Sequence, residues 1–493
     1  MNARLSRRTI LKGAVAVAGL ALVPGCASSG KKYYMASKSP NDTVRLAVAG
    51  LRGKGWSLTE QCLKEPNVEI VAFVDPDTEV LADRQAKLEE KAGHKPELFQ
   101  DVRHVLDRDD IDGLVIATPN HWHALMTVWA CQAGKDVYVE KPGSHNIWEG
   151  NKMTEAAAKY GRIVQHGTQS RSDVGNHEAF QYLREGHLGK ILYAHGLCYR
   201  DRSGIGARLE KPLEIPSNID YNLWAGPAPM EPIYRPSLHY DWHWVWQTGN
   251  GDIGNQGPHE WDLCRWALGH QKLPRRAVSM GGRFLWNDAG ETPNVQLAIV
   301  EWGPGEAPLI FEVQNIRSAR DSEAMNAHRG VRVGLVVQCE GGYFAGKDGG
   351  WMHDNDGKRI LQVKGGGSGN HIKNFIEVMR SRDESQLSAP IREGHLSCVP
   401  FHLANTSHQI GVTATKEAAE RVAATHEDAA DTYHRILELL AAHDVDLRRT
   451  PMTLGPWLDF DPVREQYTGP MASQANKHVK RNYRPPFVIP DVV

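Results

Sequence analysis

Val44-Arg45-Leu46-Ala47-Val48-Ala49-Gly50-Leu51-Arg52-Gly53-Lys54-Gly55 carries an apolar run straight into three closely spaced glycines. The run has the length and composition of a buried strand, and the glycines let the chain turn tightly and open a helix. A helix start lined by small residues offers backbone N–H groups and the positive end of its dipole to a pyrophosphate. The spacing is GxxGxG, not the commoner GxGxxG, so on the loop alone a plain tight turn is an alternative.

Working outward, a second apolar strand at 69–74 ends at Asp75, about twenty residues beyond the loop. A carboxylate there can accept both hydroxyls of an adenosine ribose and repels a 2′-phosphate, so NAD is preferred to NADP. Asp75, followed by Pro76, also has the makings of a helix N-cap. Further strands are expected at 111–117 and 137–140, with helices at 81–91 and 124–133. Alternation of this kind means parallel strands joined by crossover helices, hence a doubly wound Rossmann sheet over residues 43–165.

Beyond it the texture changes. Strands at 278–285, 295–302, 309–314 and 331–338 follow one another with few helices between them. They predict a C-terminal α+β domain, residues 166–493, built on a large, mostly antiparallel open sheet with one face covered and the other available for association. Helices are expected at 371–381 and 429–442, and the Pro-rich stretch 483–490 reads as an extended strap.

A chain of 493 residues exceeds what one core usually organises. Its net charge of −2, with 41% hydrophobic and 24% charged residues, argues against a nucleic-acid partner. The first residues are more telling: Ser6-Arg7-Arg8-Thr9-Ile10-Leu11-Lys12 precedes an apolar run too short to span a bilayer, then Val23-Pro24-Gly25-Cys26. This resembles a twin-arginine signal with an imperfect lipobox, which implies export and a periplasmic or membrane-anchored protein with a lipid anchor at Cys26. Residues 27–42 form a linker, so the first functional part of the chain begins near 43. The other six cysteines are scattered without a CxxC pair, which suggests buried thiols and neither a zinc site nor a disulfide framework.

In an open parallel sheet the ligand lies beyond the carboxyl ends of the strands. Two turns occupy those positions: Thr118-Pro119-Asn120-His121-Trp122-His123 and Glu140-Lys141-Pro142. The second turn, a later segment Thr248-Gly249-Asn250-Gly251-Asp252-Ile253-Gly254-Asn255-Gln256-Gly257-Pro258-His259-Glu260-Trp261-Asp262, and the pieces Gly167-Thr168-Gln169, Trp224-Ala225-Gly226-Pro227-Ala228-Pro229 and His402-Leu403-Ala404-Asn405 together resemble the Gfo/Idh/MocA family of sugar oxidoreductases. The resemblance covers roughly residues 43–490. It implies Lys141 as the active-site lysine and His259 as the acid/base histidine, with Asp262 also matching and Asn255 standing where the family has an acid.

Cofactor contacts are expected from Gly50, Leu51, Arg52, Gly53, Gly55, Asp75, Thr118, Asn120, His123, Glu140, Lys141 and Gln169. Substrate contacts are expected from Lys141, Arg171, Trp244, Asn255 and His259. Oxidising a sugar hydroxyl needs a base of near-neutral pKa and a cation beside the developing oxyanion, tasks that suit His259 and Lys141. Asn255 can orient an imidazole or bond a sugar hydroxyl but cannot ionise. The run Asp241-Trp242-His243-Trp244-Val245-Trp246 lacks a third ligand at a recognisable spacing, so no metal is expected; its indoles suit sugar faces.

Outside the cytoplasm no free NAD pool recycles a released cofactor, so the reading is a sugar or glycoside oxidoreductase with NAD bound tightly and recycled internally. The alternative is a redox-neutral, NAD-dependent glycoside hydrolase. A non-catalytic sugar-binding relative is the third reading. The family resemblance also implies a homodimer or homotetramer, with 278–338 as the place of association.

Overall fold

In the computed structural model, which describes residues 43–493, the opening apolar run is a central strand. The twin-arginine-like segment, Cys26 and the linker 27–42 lie outside the described residues. β1 (Val44–Ala49) leads into α1 (Gly53–Cys62), then β2 (Val68–Val74), α2 (Thr78–Ala92), β3 (Glu97–Phe99), α3 (Val102–Leu106), β4 (Gly113–Ile116), α4 (Asn120–Gln132), β5 (Asp136–Val139), α5 (Ile147–Tyr160) and β6 (Val164–His166). The strands pair in parallel in the order β3-β2-β1-β4-β5-β6. Along β1, Leu46 and Val48 pack into one helical layer while Ala47 and Ala49 pack into the other. Burial on both faces is why this strand reads as a continuous apolar run. The strand order reverses between β1 and β4, so a crevice opens directly beyond residues 50–55.

The second half comprises α6 (Val174–Arg184), β7 (Ile191–Tyr199), α7 (Gly257–Leu268), β8 (Arg276–Gly282), β9 (Val295–Glu301), β10 (Leu309–Gln314), β11 (Val333–Cys339), β12 (Gly342–Gly346), β13 (Gly350–His353), β14 (Arg359–Val363), α8 (His371–Ser381), α9 (Ile391–Gln409), α10 (Lys416–Ala423) and α11 (Glu427–Ala441). The sheet runs β14-β13-β12-β11-β7-β10-β9-β8 and continues into short pairings of residues 412–413, 453–454 and 458–461. Only the β7–β10 pair is parallel among the described strands of this sheet, as expected for a mostly antiparallel one.

One face of this sheet carries α7 and α9. Trp261 of α7 stacks on Phe311 of β10 with ring centroids 4.2 Å apart and planes 7° from parallel. The fit has no slack: a Cβ at Gly196, on neighbouring β7, would stand 2.5 Å from the Phe311 ring. α9 is absent from the sequence-based expectations because it is buried nearly all round from Gly394 to Ser407, so it shows no polar stripe opposite an apolar one.

The other face corrects an expectation. Over β8, β9 and β10, Val278, Met280, Leu297, Ile299 and Ile310 are covered by Ala419 and Ala423 of α10 and Tyr433, Ile436, Leu439 and Leu440 of α11. The chain's own helices occupy the surface that the strand pattern left open for association. The Pro-rich strap is not extended throughout: it turns at residues 484–488, where the Phe487 N–H donates to the Arg484 carbonyl at 2.8 Å, and its Phe487 and Ile489 are buried against the Rossmann half, Phe487 edge-on to Trp122 at 5.4 Å. Cys62, Cys131, Cys198, Cys264, Cys339 and Cys398 are free and buried. Among the described residues no helix is long and apolar enough to cross a membrane.

Because Phe311 anchors α7 through Trp261, Phe311→Ala should leave a cavity under the helix and cost about 3–5 kcal/mol in urea unfolding. A loss below about 1 kcal/mol would mean that the stack does not hold α7.

Candidate active site

Gly50 ends β1 with φ +80°, and a Cβ there would stand 2.6 Å from the Ala117 carbonyl oxygen. A Cβ at Gly55 would collide with the Gly50 carbonyl oxygen at 1.7 Å, whereas nothing lies within 4 Å of one at Gly53. Two glycines are thus demanded by backbone packing and the third leaves an open approach. No side chain caps α1 and no acid stands in its first turn, so its start keeps the donors and the positive field that suit a phosphate.

Asp75 closes this loop from the end of β2. Its Oδ2 accepts the Leu51 N–H at 3.0 Å and its Oδ1 the Asp77 N–H at 3.1 Å. The cap of α2 is Asp77, which accepts from Glu79 and Val80 and pairs with Arg52 at 2.7 Å. Asp75 is therefore free of the N-cap role. Burial pushes its carboxyl up to about 6 against the pull of the two amides. A buried carboxylate beside an open, uncapped helix start fits a dinucleotide.

The turn after β4 is braced to the turn after β5. His123 Nε2 lies 2.8 Å from the Thr118 carbonyl oxygen and Nδ1 lies 2.6 Å from that of Pro142, across a cis Lys141–Pro142 bond. Burial lowers its pKa, so the neutral ring has one N–H and donates to one of these carbonyls while packing on the other; His123 positions the turns and is not available to a cofactor as expected. Thr118 Oγ1, in contrast, is buried without a partner. Asn120 Nδ2 donates to Asn250 Oδ1 at 3.1 Å, tying α4 to the C-terminal half. His121 bonds the Trp224 carbonyl at 3.1 Å, and burial pushes its pKa down to about 3.

Lys141 reaches across to the same half. Its Nζ donates to the Asn255 main-chain oxygen at 2.7 Å, and burial lowers its pKa against the opposing pull of Glu140. Glu140 is itself occupied: it pairs with Lys54 at 3.2 Å and accepts from Gln169 Nε2 at 2.8 Å. Burial raises its carboxyl, but Lys54 and Lys141 bring it below the ordinary range. Glu140 and Gln169 thus set the charge around Lys54 and Lys141.

His259 sits in the first turn of α7, partly accessible, with Nδ1 buried and unpartnered. Burial, then the cations Lys347, Lys141 and Lys54, hold its pKa well below 6.5. The ring is neutral at pH 7 and able to accept a proton. Asn255 does not touch it through hydrogen bonds; its amide donates to Asp252 Oδ1 at 3.0 Å. Asp252 is fully buried and also accepts from Arg202 at 2.9 Å and Asn315 at 2.6 Å. Burial raises its carboxyl, and Arg202 more than reverses this. Asp252, in Gly251-Asp252-Ile253-Gly254, thus fixes Asn255 without reaching His259, a positioning role that the sequence reading did not single out.

Residues 44–168 match the family model for an oxidoreductase family, NAD-binding Rossmann fold, and residues 199–290 match the oxidoreductase family, C-terminal alpha/beta domain. The chain belongs to the Gfo/Idh/MocA family. A glycosyl hydrolase family 109 protein of Solibacter usitatus is 37% identical over 169 residues, 32% of this chain and 38% of that protein. Another of Saccharopolyspora erythraea is 27% identical over 268 residues, covering 50% of this chain and 52% of its own. The chain therefore spans between 38% and 52% of the length of these curated relatives. Among solved structures, the WlbA dehydrogenase from Bordetella pertussis in complex with NADH and UDP-GlcNAcA has a TM-score of 0.52 at 18% identity, over 73% of this chain and 96% of that one. An aldose-aldose oxidoreductase from Caulobacter crescentus has a TM-score of 0.51 at 16% identity, over 72% and 94%. These two likenesses show the fold.

Two of the expected substrate residues are spent inside the structure. Arg171 is buried against Asp262, with Nε to Oδ2 at 2.8 Å, and against Glu393 at 3.1 Å. That pairing also removes Asp262 from the site. Trp244 is buried and its carbonyl accepts the Glu291 and Thr292 amides, while Trp242 and Trp246 keep partly open faces.

Only the ionised Asp75 accepts two ribose hydroxyls, so NAD affinity of the stripped protein should be full above pH 6 and fall as pH drops through about 6. Asp75→Ala should weaken NAD by about 10- to 100-fold, the worth of hydrogen bonds to a charged group. Calorimetric titration between pH 5 and 7.5 checks both; a flat affinity across that range would remove the carboxylate from the ribose.

Proposed function

We propose that this protein is an NAD-dependent oxidoreductase that acts at a hydroxyl-bearing carbon of a sugar or glycoside. The observation that carries the reading is the meeting of Lys141, from the Rossmann half, with the segment bearing the neutral His259. NAD, held by the glycine loop and Asp75, supplies the two-electron acceptor. His259 takes the hydroxyl proton as the alkoxide character develops, and the Lys141 ammonium, with donors to spare beyond Asn255, stabilises that negative charge. Asp252 and Asn255 act behind them by fixing the carbonyl that holds Lys141.

The twin-arginine-like start supports a wider proposal: the protein is exported, anchored at Cys26, and keeps its NAD as a retained group, so that the net reaction is redox-neutral. Assembly as a homodimer or homotetramer, part of the same proposal, must use a surface other than the covered face of β8–β10. A second reading, net hydrolysis of a glycoside, is favoured by relatives named glycosyl hydrolase family 109 proteins. In that reading oxidation acidifies the neighbouring C–H, a base removes that proton, the aglycone leaves, water adds and the ring is reduced again.

Lys141→Ala and His259→Ala should each lower kcat by about 100-fold or more while the purified protein still carries NAD. The acid limb of kcat/KM should lie below pH 6.5, because protonation of His259 removes the base and its pKa is held well below that value. Mass spectrometry of products from a glycoside panel in D₂O and H₂¹⁸O separates the two readings. Solvent deuterium next to the oxidised carbon, with ¹⁸O at the anomeric position, means hydrolysis by elimination; accumulation of a keto sugar means a dehydrogenase. Protein purified without NAD and unreactive to every sugar would overturn both.

A further inference from the structure

On the face of the large sheet opposite α7, a histidine stands where the pattern calls for an apolar residue. In β7, Ala194 and Cys198 face the α7 side, while Leu197 and Tyr199 belong to the cluster on the other side. His195 shares that outward parity and its side chain is fully buried, beneath α11. Its Nδ1 lies 2.9 Å from Asp428 Oδ2, its Nε2 lies 3.5 Å from Glu312 Oε2, and its ring centroid is 5.1 Å from that of His328. One ligating atom from each of His195, His328 and Asp428 falls within 4.8 Å of the other two.

These atoms are idle in a way that a finished polar cluster is not. His195 Nδ1 and Nε2, His328 Nε2 and Asp428 Oδ2 are all buried and none has a hydrogen-bond partner among the described residues. The 2.9 Å approach is short, yet the ring N–H axis is not aimed at the oxygen, so it is a contact and not a hydrogen bond. Two donor atoms each about 2.1 Å from a common ion at the tetrahedral angle stand about 3.4 Å apart, so Nδ1 and Oδ2, 2.9 Å apart, would have to part by about 0.5 Å to admit zinc.

The surroundings are complete by contrast. Tyr193 donates to Asp428 Oδ1 at 2.8 Å, which orients the carboxylate and leaves Oδ2 unbonded. Glu312, beside the far nitrogen of His195, is held by Tyr199 at 2.5 Å and Arg435 at 3.2 Å. A carboxylate on the far side of a ligating imidazole is the usual outer support of a metal site. We propose that His195, His328 and Asp428 bind one divalent transition-metal ion, with zinc suited to two imidazoles and a carboxylate, and that the ion pins α11 and the loop before β11 onto the sheet. The site lies across the sheet from His259, so its role is structural. Spacing along the chain concealed it, because its ligands come from β7, a loop and α11, and the expectation of no metal rested on spacing alone.

A metal-free arrangement accounts for only part of this. His195 can pair with the two carboxylates that flank it, Asp428 at 2.9 Å and Glu312 at 3.5 Å. His328, with Nε2 buried and unpartnered, then has no task. The two arrangements therefore differ at His328.

The full chain, purified without chelator or histidine tag, should carry about one zinc per chain by elemental mass spectrometry, and His328→Ala should reduce this to below about a tenth. After chelation, added Zn²⁺ should raise Tm of the parent by a few degrees and leave His328→Ala unmoved, and Co²⁺ should give a visible ligand-field band only in the parent. Asp428→Asn provides a second variant should His328→Ala fold poorly. Absence of bound metal together with no Tm gain and no Co²⁺ band in the parent would overturn the proposal, as would zinc binding that survives both substitutions.

Discussion

The hydrogen bond from Lys141 Nζ to the main-chain oxygen of Asn255 is the constraint on which the candidate active site depends. It joins the turn after β5 to the segment that starts α7. An ammonium withdrawn from water is costly unless its donors are met and its charge is answered. Among the described residues one neutral carbonyl meets one of the three donors, while Glu140, Asp252 and Glu260 answer the charge from behind. The lysine is thus held in place with donors to spare. His123, lodged between the carbonyls of Thr118 and Pro142, holds the turn, and Asp252 holds Asn255.

The nucleotide end works by the same economy. Asp75 spends one lone pair on Leu51 and one on Asp77, which fixes the course of the loop, and keeps further lone pairs for hydroxyl donors. Arg52 is neutralised by Asp77 next door. A guanidinium at that point would otherwise favour an additional phosphate on the ribose; paired as it is, it leaves the preference for NAD to Asp75.

The parallel half was readable because strands buried on both faces leave unbroken apolar runs, as residues 44–49 do in β1; in the second sheet 309–314 coincides with β10 for the same reason. The loop glycines were readable because main-chain geometry at a strand end and a helix start restricts which residues serve there, whereas Lys141 and His259 were singled out by the family resemblance. What was hidden depends on neighbours remote in sequence. Arg171 reads as a free cation until Asp262 and Glu393 are seen against it, and Trp244 reads as a sugar platform until its indole is seen buried with the Arg202 guanidinium over the ring. α9 was invisible for a different reason: with Leu396, Phe401 and Leu403 facing one layer and Ser397, His402 and Asn405 equally buried, no periodic contrast marks it. The covering of β8–β10 by α10 and α11 likewise requires knowing where those helices pack.

His259 is positioned by packing and not by a polar partner. Two residues on, Trp261 lies flat against Phe311, and the lack of a side chain at Gly196 admits the Phe311 ring. The helix register then places the imidazole at the crevice with Nδ1 unbonded. No carboxylate fixes its tautomer or raises its basicity, and the nearest charges are cations. A base held this way is weak in the empty protein and gains strength only when negative charge, from a bound ligand or from an oxyanion forming on the substrate, offsets Lys347, Lys141 and Lys54. The substitution of Asn255 for the expected acid belongs to this arrangement: a carboxylate at 255 would add a second negative group against the buried Asp252, whereas the amide donates to it and leaves the imidazole to respond to what occupies the crevice.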